Sequence, residues 1–300
     1  MGRIERITER LRSGQRIVID GGTGTELERR GVPKLENAWN GGGTLSHPDV
    51  LRQIHIEHIE AGAEIIISNT FATSRYILES AGVGQDFDAY NRRSVELAVE
   101  ARDHVGDDSV AIAGGLSHWS WTTEPTLDDI RRSAHDQAQI MAEAGADLLM
   151  LEMMSYIDKM LAMIESGRAS GLPVWVGISV GDEEGTPTGD PGTINLRGGE
   201  PLRDALTALA PLDVDVLNIM HTDIDLVDGC LDVLDEHWSG IVGVYAHSGD
   251  YVDGVWQFGG SMDPARFAEW CAGWNDRGVQ VHGGCCGTEP SHIKALKQAI

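Results

Sequence analysis

The chain has 300 residues, with 47 acidic side chains against 23 basic ones and a formal net charge of −24. So large an acidic excess leaves nothing to neutralise phosphates and excludes nucleic acid as a partner. The acid is spread along the whole chain, which reads as a strongly solvated surface rather than a steering patch. No stretch is apolar over the length that spans a bilayer, and the first residues, Met1-Gly-Arg-Ile-Glu-Arg6, carry charge in place of an apolar signal core. A soluble, cytoplasmic protein without a membrane partner is expected. Four cysteines, at 230, 271, 285 and 286, lack the dense spacing of a disulfide scaffold and read as reduced thiols. The length suits one large domain over 1–300, and no linker, repeat or low-complexity tract divides it.

Brief runs rich in Val and Ile recur at 16–20, 64–68, 110–114, 147–151, 173–179, 214–219, 241–246 and 279–282. Nearly continuous in apolar residues, they read as strands of a parallel sheet buried on both faces. Helix patterns fall between them, at 47–61, 88–104, 127–144, 157–169, 201–209, 223–237, 263–274 and 290–299. Ser46-His-Pro-Asp49 carries an N-cap serine and a first-turn proline, and Asp263-Pro264 repeats that start signal. Eight strand–helix units predict an α/β fold, a single (β/α)8 TIM barrel, with an open doubly wound sheet as the alternative. Asp20-Gly-Gly-Thr-Gly-Thr25 follows the first strand, but it lacks both G-x-G-x-x-G spacing and a Walker Lys-Ser/Thr, so it does not support a nucleotide loop. The long Gly, Pro and acid-rich segment 181–200 is either a lid or a surface loop.

In such a barrel the reactive groups sit at the carboxyl ends of the strands. The unusual residues do fall there: Asp20-Gly21-Gly22, Ser68-Asn69-Thr-Phe71, Glu152, Met220-His221-Thr222, His247-Ser248 and Gly283-Gly-Cys285-Cys286-Gly287. A carboxylate straight after Leu-Leu-Met-Leu is costly unless it is paired or bound to a cation. Adjacent cysteines flanked by glycines can turn both sulfurs toward one point, which suits zinc; two small buried thiols packing a strand end is the plainer reading. Zinc needs a third protein ligand, and His221, across the mouth from the pair, is the first choice. His247 competes as ligand or as supporting partner. The plain alternatives are a polar residue entering the next helix for His221 and a solvent-facing loop histidine for His247.

Asp20-Gly-Gly-Thr-Gly-Thr-Glu-Leu-Glu-Arg-Arg-Gly31, Asn69-Thr-Phe71, Glu152 and above all Gly283-Gly-Cys-Cys-Gly-Thr288 resemble the homocysteine S-methyltransferase family, and the likeness runs through essentially the whole chain. That family includes the betaine and S-methylmethionine enzymes and the homocysteine module of cobalamin-dependent methionine synthase. The resemblance implies a zinc-bearing barrel that holds an acceptor thiol. Cys285 and Cys286 match its paired zinc cysteines. Asp20, Gly21 and Gly22 match the loop that helps to hold homocysteine, and Glu152 matches the carboxylate that receives the ammonium group. Trp39 resembles a tryptophan that shapes the donor side.

The departures fall at the strand ends. His221 stands where the family has its third zinc cysteine, Ala246-His247 replaces its Pro-Asn, and Gly115-Leu-Ser-His-Trp-Ser-Trp121 replaces its Ser-x-Gly-Pro-Tyr pattern. Exchanging a thiolate for imidazole makes the site less negative by one charge, hence a stronger Lewis acid that is bound less tightly.

The expected activity is zinc-dependent methyl transfer from a small charged donor (S-methylmethionine, betaine or a related sulfonium or ammonium compound) to a thiol, homocysteine first, giving methionine. Ring faces at Trp39, Trp119, Trp121, Tyr251 and Trp256 are candidates for meeting such a cation. The alternatives are another thiol or a selenol as acceptor, a separate corrinoid protein as donor, or a non-catalytic zinc- and thiol-binding homologue. The partners expected are two small molecules, the thiol acceptor and the methyl donor, with a homo-oligomer left open.

Overall fold

The computed structural model describes residues 1–181, 193–248, 250–252, 255–257 and 262–300, with the backbone alone for 250–252 and 255–257. Most of the segment singled out at 181–200 therefore lies outside the described residues. Ten strands follow in chain order: β1 (Ile17–Val18), β2 (Ile65–Ile67), β3 (Ala111–Leu116), β4 (Leu148–Met154), β5 (Val174–Ile178), β6 (Val216–Met220), β7 (Ile241–Tyr245), β8 (Asp250–Val252), β9 (Val255–Gln257) and β10 (Val279–His282). All but β8 and β9 form one parallel sheet of eight strands in the order β1-β10-β7-β6-β5-β4-β3-β2. A bridge between Ile19 and Ile65, with the Asp20 N–H donating to the Ile65 carbonyl at 3.1 Å, brings the two outer strands together and closes the sheet into the (β/α)8 barrel.

The strands alternate between two apolar environments. Ile65 and Ile67, Ala111 and Ala113, and Leu148 and Met150 point into the barrel, while Ile66, Ile112, Leu149 and Leu151 pack against the surrounding helices. Burial on both faces is why these segments read as unbroken apolar runs. The helix Arg3–Arg12, absent from the sequence reading, sends Ile4, Ile7 and Leu11 into the same cluster as the barrel interior, so that it plugs the barrel away from the reactive rim. The antiparallel hairpin β8–β9 was also not foreseen.

Two of three local expectations change. Ser46 ends a short helix, Gly43–Ser46, and His47 rather than Ser46 is the cap of Pro48–Glu60. Asp263 does cap its helix, accepting from the Ala265 and Arg266 N–H groups. Glu152 lies within β4, not after it, because the strand continues to Met154 through a register shift between Leu151 and Met154.

The helix Pro48–Glu60 buries His55 and His58 completely, and neither ring has a hydrogen-bond partner among the described residues. Burial lowers His55 to about 3; burial and then Arg30 lower His58 from 6.5 to about 4. Folded-state values below the unfolded one mean that the folded chain binds fewer protons. This contribution is complete above about pH 6.5 and is lost as the pH falls toward about 4. In urea titrations between pH 6.5 and 5, His58→Gln is expected to flatten the slope of stability against pH by about 1 kcal/mol per pH unit, approaching the one-proton limit of about 1.4 at the acid end. An unchanged slope would exclude this role.

Candidate active site

Because β1 and β10 are neighbours, the loops that leave them interlock. The Gly284 N–H donates to the Asp20 carbonyl at 3.0 Å, and the Gly22 N–H donates to the Thr288 carbonyl at 3.1 Å. Cys285 and Cys286 are tied on the other side to β7: the Cys285 N–H donates to Ala246 O at 2.9 Å, and Cys286 O accepts from the Ser248 N–H at 2.8 Å. Two glycines make this approach possible. A β-carbon on Gly284 would collide with the Thr288 side chain, and one on Gly287, whose φ is +81°, would overlap the Ser248 carbonyl. Gly287→Ala is expected to lower stability by at least about 2 kcal/mol, from left-handed strain plus the collision, and to loosen the cysteine loop. A thermal melt within a degree of the parent would refute this.

The loop geometry brings one nitrogen and two sulfurs together. Cys285 Sγ lies 3.4 Å from His221 Nδ1 and 3.9 Å from Cys286 Sγ. The three ligand atoms all fall within 4.8 Å of one another. For tetrahedral zinc, with Zn–S of about 2.3 Å and Zn–N of about 2.0–2.1 Å, the expected separations are about 3.8 Å between sulfurs and about 3.5 Å from sulfur to nitrogen. The donor set thus fits zinc in both chemistry and spacing. Nδ1, the ring nitrogen nearer the backbone, faces the sulfurs, and it extends from the chain about as far as a cysteine sulfur would. His221 reaches the cluster from a left-handed conformation, φ +44°, just past β6. The His247 ring stands 5.2 Å from that of His221, beside the cluster but not among its three residues.

Burial lowers His221 well below the usual histidine range, with His247 and then Arg197 adding to the effect, so the ring is neutral and has a lone pair to offer. Cys286 is raised by its hydrogen bond with Cys285 and by burial. Without a cation beside it the Cys286 thiol keeps its proton. Cys230 and Cys271 lie elsewhere, buried in the helix-packing core.

Two carboxyl groups line the same rim. Asp20 is buried and its Oδ2 accepts the Ile67 N–H at 2.8 Å; burial raises it well above the carboxylate range, and Glu152 adds to the rise. Glu152 is pushed up to about 8 by burial, and no basic side chain among the described residues pairs with it. A β-carbon on Gly115 would lie 2.5 Å from Glu152 Oε2, so β3 leaves room for this carboxyl group by having no side chain there. Asn69 is engaged elsewhere, since its amide donates to Asn40 O at 2.9 Å and to Thr44 Oγ1 at 3.3 Å, bracing the turn that follows Trp39. Gly21 and Gly22 sit at the β1–β10 loop junction, against His58 and Thr288 and against Cys285 and Thr25 respectively.

Aromatic residues form a separate face. Trp39, Phe71 and Trp121 have ring centroids 6.0–6.4 Å apart, and Trp121 is 43% exposed. Trp119 instead packs against the barrel-interior cluster, and the side chains of Tyr251 and Trp256 lie outside the described atoms. Sequence reading missed the structural parts played by Met220 and His118, which accept the Met153 and Ser155 N–H groups. Only the departure of residues 115–121 from the family pattern had drawn attention to that strand end.

A parallel eight-stranded barrel with a thiol–imidazole cluster and carboxyl groups at its carboxyl rim defines an enzyme of the TIM-barrel class, with its reactive groups in the usual place for that fold. The family model for homocysteine S-methyltransferase matches residues 17–300. A homocysteine S-methyltransferase from Brassica oleracea var. italica is 24% identical over 94% of this chain and 93% of its own. The betaine–homocysteine S-methyltransferase of Bos taurus is 26% identical over 98% of this chain and 74% of its own. The metallated homocysteine methyltransferase of Escherichia coli superposes with a TM-score of 0.78 at 23% identity, covering 95% of this chain and 96% of that one, a likeness of fold. The chain belongs to the homocysteine S-methyltransferase family and is an S-methyltransferase. Among the described residues no helix is long and apolar enough to cross a membrane.

Proposed function

We propose that this chain, acting as one barrel domain over 1–300, methylates homocysteine to methionine at a zinc site formed by His221, Cys285 and Cys286. The observation that carries this reading is the convergence of one imidazole nitrogen and two sulfurs within 4.8 Å at the barrel rim, in a chain of this family. Zinc bound there would lower the pKa of the acceptor thiol, so that a thiolate is available near neutral pH.

The chain's own residues supply position. Glu152 receives the acceptor's ammonium group, which gives this half-buried carboxyl group, unpaired among the described residues, a cation. Asp20 and the Gly21-Gly22 backbone hold the acceptor beside it. Trp39, Phe71 and Trp121 offer ring faces to a sulfonium or ammonium donor. A carbon–sulfur bond forms as the bond from the methyl carbon to its sulfonium or ammonium leaving group breaks; the leaving group departs neutral and the thiol proton goes to solvent. Most of the rate then comes from alignment of two small molecules.

The test is a screen of homocysteine with betaine, a dimethylsulfonium compound and S-methylmethionine, read as methionine formed. Turnover with one of them identifies the donor. No methionine with any of the three would sink the proposal and direct attention to a selenol acceptor or a methylcorrinoid protein.

A further inference from the structure

The carboxyl end of β4 is irregular where regularity would be expected. Its pairing with β5 shifts register between Leu151 and Met154, and Met153 takes a left-handed conformation, φ +60°, which is costly for a residue with a β-carbon. Such a bulge re-aims side chains and leaves backbone N–H groups outside the ladder. Here side chains from other strand ends take them up. The Met153 N–H donates to Met220 Sδ at 3.0 Å, and the Ser155 N–H donates to His118 Nε2 at 3.1 Å. The Ser155 hydroxyl closes the turn by donating to Met153 O at 3.0 Å.

We propose that His118 is a positioning residue, whose Nε2 holds the bulge that aims Glu152 into the barrel mouth. The inference rests on the reading of Glu152 as the partner of the acceptor's ammonium. A thioether is a weak acceptor, so the imidazole is the stronger of the two anchors. The ring is 2% exposed and lies 5.8 Å from that of Tyr156, edge to face, which fixes its direction. Accepting at Nε2 requires a neutral ring with its proton on Nδ1, and burial keeps it neutral by lowering it to about 3. Strand β3 and the segment leaving it thereby serve Glu152 twice: Gly115 leaves space for the carboxyl group, and His118 tethers the backbone beyond it. Without the imidazole the Ser155 N–H becomes a buried donor with no acceptor, and the bulge has reason to relax toward regular pairing, which moves Glu152.

The experiment compares homocysteine with its deaminated analogue, mercaptobutyrate, as acceptors for the zinc-loaded enzyme and a donor identified by the screen. Wild type is expected to prefer homocysteine through KM, and Glu152→Gln is expected to abolish that preference. His118→Ala and His118→Asn, neither of which reaches Ser155, should raise the KM for homocysteine by about 10- to 100-fold with kcat little changed, and should leave mercaptobutyrate almost unaffected. His118→Gln, whose amide oxygen reaches the Nε2 position, should restore most of the preference. A purely structural histidine would lower thermal stability and the active fraction without touching the ratio. Retention of the preference in His118→Ala or in His118→Asn would overturn the proposal. If Glu152→Gln itself keeps the preference, the reading of Glu152 fails first and the role of His118 falls with it.

Discussion

Alanine at His221, Cys285 or Cys286 is expected to strip zinc from the purified protein and abolish methyl transfer. Each residue supplies one of the three protein donors that cluster among the described residues, all within 4.8 Å of one another. Changes to residues that merely support a ligand already weaken zinc by about 10- to 100-fold, so loss of a direct ligand should exceed that. Metal analysis after gel filtration, on protein carrying no metal-binding tag, decides the matter: full occupancy in His221→Ala and Cys285→Ala would refute the ligand set. His221→Cys is the informative partner variant. It places a third sulfur near the point now held by Nδ1, 3.4 Å from Cys285 Sγ, and is expected to retain the metal. With one more negative charge the site should bind zinc more tightly and act as a weaker Lewis acid. A His221→Cys protein that loses its metal would show that this loop is shaped for imidazole alone.

Glu152→Gln is expected to raise the KM for homocysteine by about 100-fold or more, the scale for removing one partner of a buried charge pair, while zinc content stays at the parent level. The pH dependence follows from burial, which pushes this carboxyl group up to about 8. In the free enzyme at pH 7 it is mostly protonated, and an arriving ammonium favours the carboxylate. Acceptor binding therefore expels a proton, and affinity should improve as the pH rises from 7 toward 8 and level off above that. Glutamine cannot ionise, so the variant should lose this component of the pH profile. An unaltered profile would assign the titration to another group.

The pieces legible in the sequence were those with local signatures. Nearly continuous apolar runs, most of them rich in Val and Ile, marked all eight barrel strands, the glycine–cysteine run marked the metal loop, and Asp263-Pro264 marked a helix start. The helix Arg3–Arg12 escaped because its apolar face has meaning only as a plug beneath the barrel. Glu152 was placed just past the end of its strand rather than inside it, because a bulge has no periodic signature and depends on acceptors brought from Met220 and His118.

By itself, then, the sequence determined the barrel, its family and the chemical kinds of ligand present, since these rest on periodicity and on residue identity at strand ends. Only the tertiary structure decided which atoms converge. Parallel closure puts β1 beside β10, so that Asp20-Gly-Gly and Gly-Gly-Cys-Cys-Gly interlock although they lie at opposite ends of the chain. The left-handed turn after β6 then presents His221 Nδ1 to Cys285 and leaves His247 beside the cluster. Residue type sets what a group can ligate, but distances between groups far apart in the chain arise only when the sheet closes.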